Sequence, residues 1–351
     1  MESRKVQRVG YSTFSVSLPK DWVKDSGLKQ GDLVMLIPEK DGSLKLIPSS
    51  VAERRPQTEE HVIHSDLCKE TGMLERLIVG NYLLGRDAFG VISSTRISRE
   101  HIEEVRKIAH RLMGLGIVQE TPERIDLQCS IDPTSFKIDM LMRRLSVIAS
   151  TMYAEAMQAL ADSNQELAGD AIRREDEADM MYWLAMRLLL SAQRDRTIAD
   201  KIGLEETTQI LYFTQIAMWL ELIADHSEEI ARMAIEFQDH GKEKISKQMM
   251  NRIINIGELT HNVFLKAMDC VFRGDVQVAN NVLEITKVIE SEHASLMKEL
   301  PELPILRAVL LELARIATDG AGIAVIAINK ALEKPSKICS VRISEAIHAE
   351  L

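Results

Sequence analysis

Aromatic residues make up only 4% of the 351-residue chain, and there are just four cysteines. So few rings argue against a base-stacking platform for single-stranded nucleic acid. Cys68, Cys129, Cys270 and Cys339 lie far apart with no CxxC spacing. That suggests neither a disulfide framework nor a thiolate zinc site, and it fits a reducing compartment. No run approaches ~20 uninterrupted apolar residues, so no membrane insertion is expected. The opening MESRKVQRVG is charged and lacks the apolar stretch of a signal peptide. A soluble, cytoplasmic protein is the expectation. Net positive charge is absent too: the formal charge is −10, so the chain as a whole is no polyelectrolyte for nucleic acid. The distribution is uneven, however. Residues 1–56 carry ten Lys and Arg against seven Asp and Glu. A small basic head precedes a large acidic body.

What is present divides into three textures. In residues 1–50, TFSVSLP alternates Phe14, Val16 and Leu18 with serines, the period of a half-buried strand. DLVMLIP and SLKLIP follow, joined across Asp41-Gly42, a strong hairpin signal. Between them, PKDWVKDSGLKQGD gives one helical turn opened by Pro19 and closed near Gly27. So small a unit makes a marginal core, and pairing with a second copy is expected. Residues 51–57 read as a polar linker. Residues 58–131 predict helix, strand, helix, strand, strand, a small α+β module with no catalytic constellation. From Pro133 to Lys334 the period is helical, giving six long helices at about 133–162, 164–193, 205–238, 243–272, 275–300 and 302–333. They divide into two bundles of three, 132–238 and 242–334, followed by a tail at 335–351. The apolar spacing of YAEAMQALADSNQELAGDAI repeats in FLKAMDCVFRGDVQVANNVL, as expected of duplicated units. The fold class is mixed and predominantly α. The 17 methionines fit gap-filling in its core.

The basic head, through SLPKDW and GLKQGDLV, resembles the AbrB family of swapped-hairpin DNA-binding domains over about 45 residues. The resemblance implies a homodimer of interleaved hairpins. Arg4, Lys5, Arg8 and Lys20 are the positions that would meet duplex DNA, with each neutralised phosphate releasing counterions. The alternative is a charge-guarded strand edge in a domain used for dimerisation alone.

The body carries two acid pairs at i, i+4 spacing with no basic partner on their own helices. Glu175 and Asp179 lie in RREDEADMMYW, and Glu221 and Asp225 in LELIADHSEEIA. Stacked like charges cost about 0.2–0.5 kcal/mol per pair, so a counter-charge from elsewhere is sought. For Glu221 and Asp225 alone a solvated acidic face is an equal reading, because the bulkiest apolar residues of that helix lie on its other side. Two helices presenting such pairs would converge four carboxylates, hard ligands for cations. Here the sequence resembles PhoU-type phosphate-uptake regulators over about 200 residues. The resemblance implies tandem three-helix bundles whose E/D-x-x-x-D pairs hold metal ions: iron, zinc, manganese or magnesium. The second bundle departs from the pattern. Thr286 stands for Glu175, Glu290 for Asp179, and Ala314 and Thr318 for the last pair. Only Glu290, His293 and Asp319 remain there as candidate ligands.

Two E-x-x-H pairs, Glu258 with His261 and Glu290 with His293, raise a di-iron enzyme as a third reading, although each pair needs a partnering helix with an inward Glu and this bundle has one helix left, with Glu312 near its start. The leading expectation is a non-enzymatic, phosphate-linked transcriptional regulator with a metal-binding helical body. The alternative is a signalling adaptor that docks on phosphate ABC transporter components or a sensor kinase, its head serving only to dimerise.

Overall fold

Alternation in the head produces two antiparallel hairpins. β1 (Gln7–Val9) pairs with β2 (Thr13–Ser15), bringing Arg8 opposite Phe14. β3 (Val34–Pro38) pairs with β4 (Leu44–Pro48) over five residues. The computed structural model describes residues 3–38, 42–48, 60–132, 135–240, 245–300 and 303–340. Asp41 of the expected turn lies outside them, while Gly42 has the positive φ of 82° that such a turn uses. α1 (Lys20–Asp25) follows Pro19 and ends where the sequence placed it. Gly27 turns left-handed at φ 67°, and Leu28 N–H donates back to Val23 O, which satisfies a carbonyl of the last turn.

Met1–His61 and Val62–Leu351 form separate compact units. The described residues of the first show no core of their own. Among its described residues only Pro48 is buried. Val6, Val9, Phe14, Val16, Leu33, Leu36 and Leu44 are all exposed. Each would gain about 1.5–3 kcal/mol from full burial, so the hairpins are built to be covered.

The second unit opens with β5 (Val62–His64), α2 (Met73–Leu83), β6 (Ala88–Ile92), α3 (Arg99–Arg111), β7 (Leu115–Glu120) and β8 (Arg124–Cys129). The sheet order is β5-β6-β8-β7, with β5–β6 parallel and the other pairs antiparallel. β5 is an addition to the sequence reading: three residues are too few to show an alternation. Ser98 caps α3 by accepting from His101 N–H at 3.1 Å, and Val105, Ile108 and Leu112 turn inward against Phe89, Val91, Ile125 and Leu127.

The helical part comprises α4 (Ile138–Asp162), α5 (Gln165–Arg173), α6 (Glu175–Arg194), α7 (Arg196–Ile202), α8 (Thr208–His240), α9 (Lys247–Arg273), α10 (Val276–Glu299) and α11 (Pro304–Ala331). The expected second helix is interrupted at Arg174. Its N–H divides between Asp170 O and Ala171 O, as at a helix end, while its guanidinium reaches Glu155 of α4 at 2.9 Å. α7 occupies a stretch read as punctuation. Asp195 caps it through Thr197 N–H, and Gly203 at φ 94° stops it. Other caps fall where Asn164, Ser246 and Asp275 stand in the sequence.

α4, α6 and α8 pack as one bundle and α9, α10 and α11 as another, with α8 lying along α11. One buried core runs through both. A Cβ on Gly322 of α11 would stand 2.6 Å from the Trp219 ring of α8, so only the smallest residue fits that crossing. No helix among the described residues is long and apolar enough to cross a membrane.

Candidate functional site

α6 and α8 pack side by side and bring the two acid pairs to one seam. Asp179 is buried, and Glu175, Glu221 and Asp225 are half-buried. The three acids in the first turn of α6, Glu175, Asp176 and Glu177, suit the positive end of that helix. Burial dominates the chemistry of the four seam acids. Desolvation, then the Glu175 charge, pushes the Asp179 carboxyl up to about 8, with Glu221 of α8 adding to the rise. Glu221 rises to about 7 through burial, Asp225 and Glu175. Asp225 rises to about 6 through burial and then Glu175, Glu228 and Glu229. The four acids thus feel one another across two helices.

The counter-charge sought in the sequence is an arginine. Arg111, the last residue of α3, sends Nη2 to Asp179 Oδ2 at 2.8 Å and to Glu175 Oε2 at 3.4 Å. Its Nε lies 2.7 Å from Asp176 Oδ1, and Nη1 lies 3.5 Å from Glu75 Oε1 of α2. The guanidinium sits 5.2 Å from the centre of the Trp183 ring, a favourable cation–π position. A cation at the C-terminus of α3 also complements that helix's dipole. Sequence reasoning missed Arg111 because it lies 64 and 68 residues from its partners. The available signal was a basic residue at a helix end, in a module without a readable role.

Among the described residues no three His, Cys, Asp or Glu side chains are gathered as a metal-ligand group. As placed, then, the four seam acids do not make a cage for the iron, zinc, manganese or magnesium that the resemblance implied. Asp179 already has a guanidinium nitrogen at hydrogen-bond distance.

The lower-ranked candidates part company. Asp319 of α11 faces His226 of α8, whose Nε2 is 3.6 Å from Asp319 Oδ2 and whose Nδ1 is 2.7 Å from Glu312 Oε2. Arg315 reaches Glu312 from the exposed side at 2.8 Å. Burial lowers the His226 pKa against the pull of Glu312, and burial raises Asp319 to about 6. Glu290 and His293 do not join Asp319 in a ligand group, and His293 Nε2 is buried without a hydrogen-bond partner. The side chain that meets Asp319 is thus His226, which also meets Glu312, and not Glu290 or His293. His226 was in plain view as the last letter of ELIADH, but one position of helical rotation turns it from the seam toward α11. The di-iron grouping does not form either. His261 Nε2 pairs with Ser150 Oγ at 2.8 Å, and its ring lies against Tyr153.

In the head, Arg4, Lys5, Arg8 and Lys20 are all exposed. Arg4 Nη1 donates to Ser17 Oγ at 3.2 Å and Arg8 Nη2 to Tyr11 O at 2.5 Å, so both arginines are held close to the β1–β2 hairpin.

A hairpin unit with an exposed basic strand, in one chain with a body of paired helical bundles, defines a two-part fusion. Its parts match two family models: residues 7–53 match the antidote-toxin recognition MazE domain of bacterial antitoxins, and residues 142–234 match the PhoU domain. The chain thus joins a MazE/AbrB-type domain to a PhoU domain, and the matched PhoU stretch contains all four seam acids. Similar solved structures include PhoU from Pseudomonas aeruginosa, at 20% identity and a TM-score of 0.49, covering 56% of this chain and 96% of that one. A second is the phosphate transport system regulatory protein PhoU from Streptococcus pneumoniae, at 14% identity and a TM-score of 0.48, covering 56% and 94%. No curated protein matches the chain.

Proposed function

We propose that this protein is a phosphate-linked transcriptional regulator. Its MazE/AbrB-type head binds duplex DNA as a homodimer, and its PhoU-domain body relays phosphate status without catalysing a reaction. The observation that carries the reading is the presence of both domains in one chain. Two features of the head support it. Its large apolar side chains are exposed, which favours covering by a second copy, and doubling the chain doubles the cluster of Arg4, Lys5, Arg8 and Lys20 beside them.

The test is duplex-DNA binding by the full chain, followed by fluorescence anisotropy over a salt series. Arg4→Ala with Arg8→Ala should weaken binding across sequences and reduce the slope of log K against log salt by about 0.9 per lost phosphate contact. Sedimentation should report a dimer for both proteins. A dimer whose DNA affinity is unchanged by the double substitution would overturn DNA binding through these residues. It would leave the adaptor reading, in which the body docks on a phosphate transporter or sensor kinase and the head only dimerises.

A further inference from the structure

The seam that the PhoU resemblance gives to a metal already holds a cation of this chain's own. Arg111 meets Asp179, Glu175, Asp176 and Glu75 at 2.7–3.5 Å, and its side chain is only 18% exposed. The seam acids as placed do not form a metal-ligand group. We propose that Arg111 takes the metal's place in the first bundle and thereby fastens the α+β part, residues 62–129, to the helical body. This rests on the PhoU reading of the seam but reverses its cofactor: the cation is delivered by a neighbouring fold.

Three independent contacts show that this face of α6 is an assembled interface and not a chance approach of surface charges. Trp183 packs among the buried side chains of the α+β core. Arg187, 3% exposed, donates to Tyr82 O at 2.6 Å and pairs with Asp87 at 2.5 Å. Arg194 Nη1 donates to Leu84 O at 2.7 Å. Arg111, Trp183, Arg187 and Arg194 therefore tie α6 from its N-terminal to its C-terminal end. Arg111 alone among them answers several carboxylates, the buried Asp179 among them, and a guanidinium suits that task because its planar fork can address more than one at once. A divalent ion bound at Asp179 Oδ2 would need that oxygen at about 2.0–2.6 Å, and Nη2 already stands 2.8 Å from it. Docked α3 and a bound cation thus compete for the same oxygen, and each should weaken the other by the same factor.

The experiment compares the metal-free full chain with Arg111→Gln and with Arg111→Lys. Titration with Mn²⁺ is followed by calorimetry, and amide hydrogen exchange is read over residues 73–83 and 99–111. Arg111→Gln should raise exchange in both helices at least threefold without Mn²⁺, and it should bind Mn²⁺ at least tenfold more tightly than wild type. Arg111→Lys, which keeps the charge but not the fork, should fall between and serves if the Gln variant does not fold. Equal Mn²⁺ affinity in wild type and variants would overturn the substitution of arginine for metal while sparing a metal site. Unchanged exchange would overturn the fastening. If neither wild type nor variants take up Mn²⁺, the metal reading of the seam falls, and exchange alone decides whether Arg111 is the clasp.

Discussion

Two places in the helical body bury carboxylates between helices, and they solve the same problem differently. In the α6–α8 seam the positive partner is Arg111, a permanent charge supplied by another fold. Between α8 and α11 the partner is His226, supplied by the bundle itself and held between Glu312 and Asp319. A guanidinium stays charged at any physiological pH, so the cation of the first site is permanent. An imidazole can be neutral, so the second can change its charge without moving a backbone. Adjacent residues of one helix, Asp225 and His226, serve the two sites. α8 is therefore the element through which one could influence the other.

Removing the fixed cation should have the larger effect. Arg111→Ala leaves Asp179 buried beside Glu175 with no positive partner, and losing one member of a buried pair costs about 3–5 kcal/mol. Asp179 can escape part of that by staying protonated, so a loss of about 2–3 kcal/mol in chemical denaturation is expected. His226→Ala removes a hydrogen bond to a carboxylate and leaves a small void, for about 1–2 kcal/mol. A His226 variant as damaging as the Arg111 variant would erase the distinction between a clasp and a titratable contact.

The next effect is in pH. Seam acids whose folded pKa values lie above the ordinary carboxylate range bind more protons folded than unfolded, so stability falls as pH rises through those values. For Asp179, Glu221 and Asp225 the fall begins near the unfolded carboxylate value of about 4 and ends above their folded values of about 8, about 7 and about 6. Metal-free protein should therefore melt at a higher temperature at pH 6 than at pH 8. His226 has the opposite sign. Its folded pKa is lowered, so its contribution is lost as pH falls through its unfolded value near 6.5. Thermal melts of His226→Gln should keep the gain on going from pH 8 to pH 6 and lose less below it. A wild type equally stable at pH 6 and pH 8 would mean the seam acids are solvated after all.

Local features were legible because their causes are local. Pro19 opening α1, Gly27 closing it and the i, i+4 acid pairs each act within a turn or two of chain. The exposed apolar face of the head was foreshadowed by a unit too small for a core. The order of the α+β part was readable except for β5, where three residues carry no period. Arg174, where the expected helix breaks, pairs with Glu155 of another helix, and Arg111 finds its acids only once two folds have packed. The two letters D and H in ELIADH illustrate the limit. Their chemistry was visible, but their destinations were separated by about 100° of helical rotation and by which helix stood on each side.

The smallest expected effect concerns that same turn of α8. Glu221 and Asp225 lie one turn apart, and Asp225 adds to the rise of Glu221. Asp225→Asn removes one of two like charges while keeping the shape of the side chain. If the pair has no cation of its own, relief of repulsion should stabilise the protein by about 0.2–0.5 kcal/mol, and wild type and variant should respond alike to a chelator. If a metal is shared by Glu221, Asp225 and the α6 acids, the same substitution should destabilise the metal-loaded protein. Chelation should then lower the wild-type melting temperature and leave the variant's nearly unchanged. The sign of one conservative substitution, measured with and without chelator, decides whether Arg111 is sufficient for the whole seam or only for its α6 side.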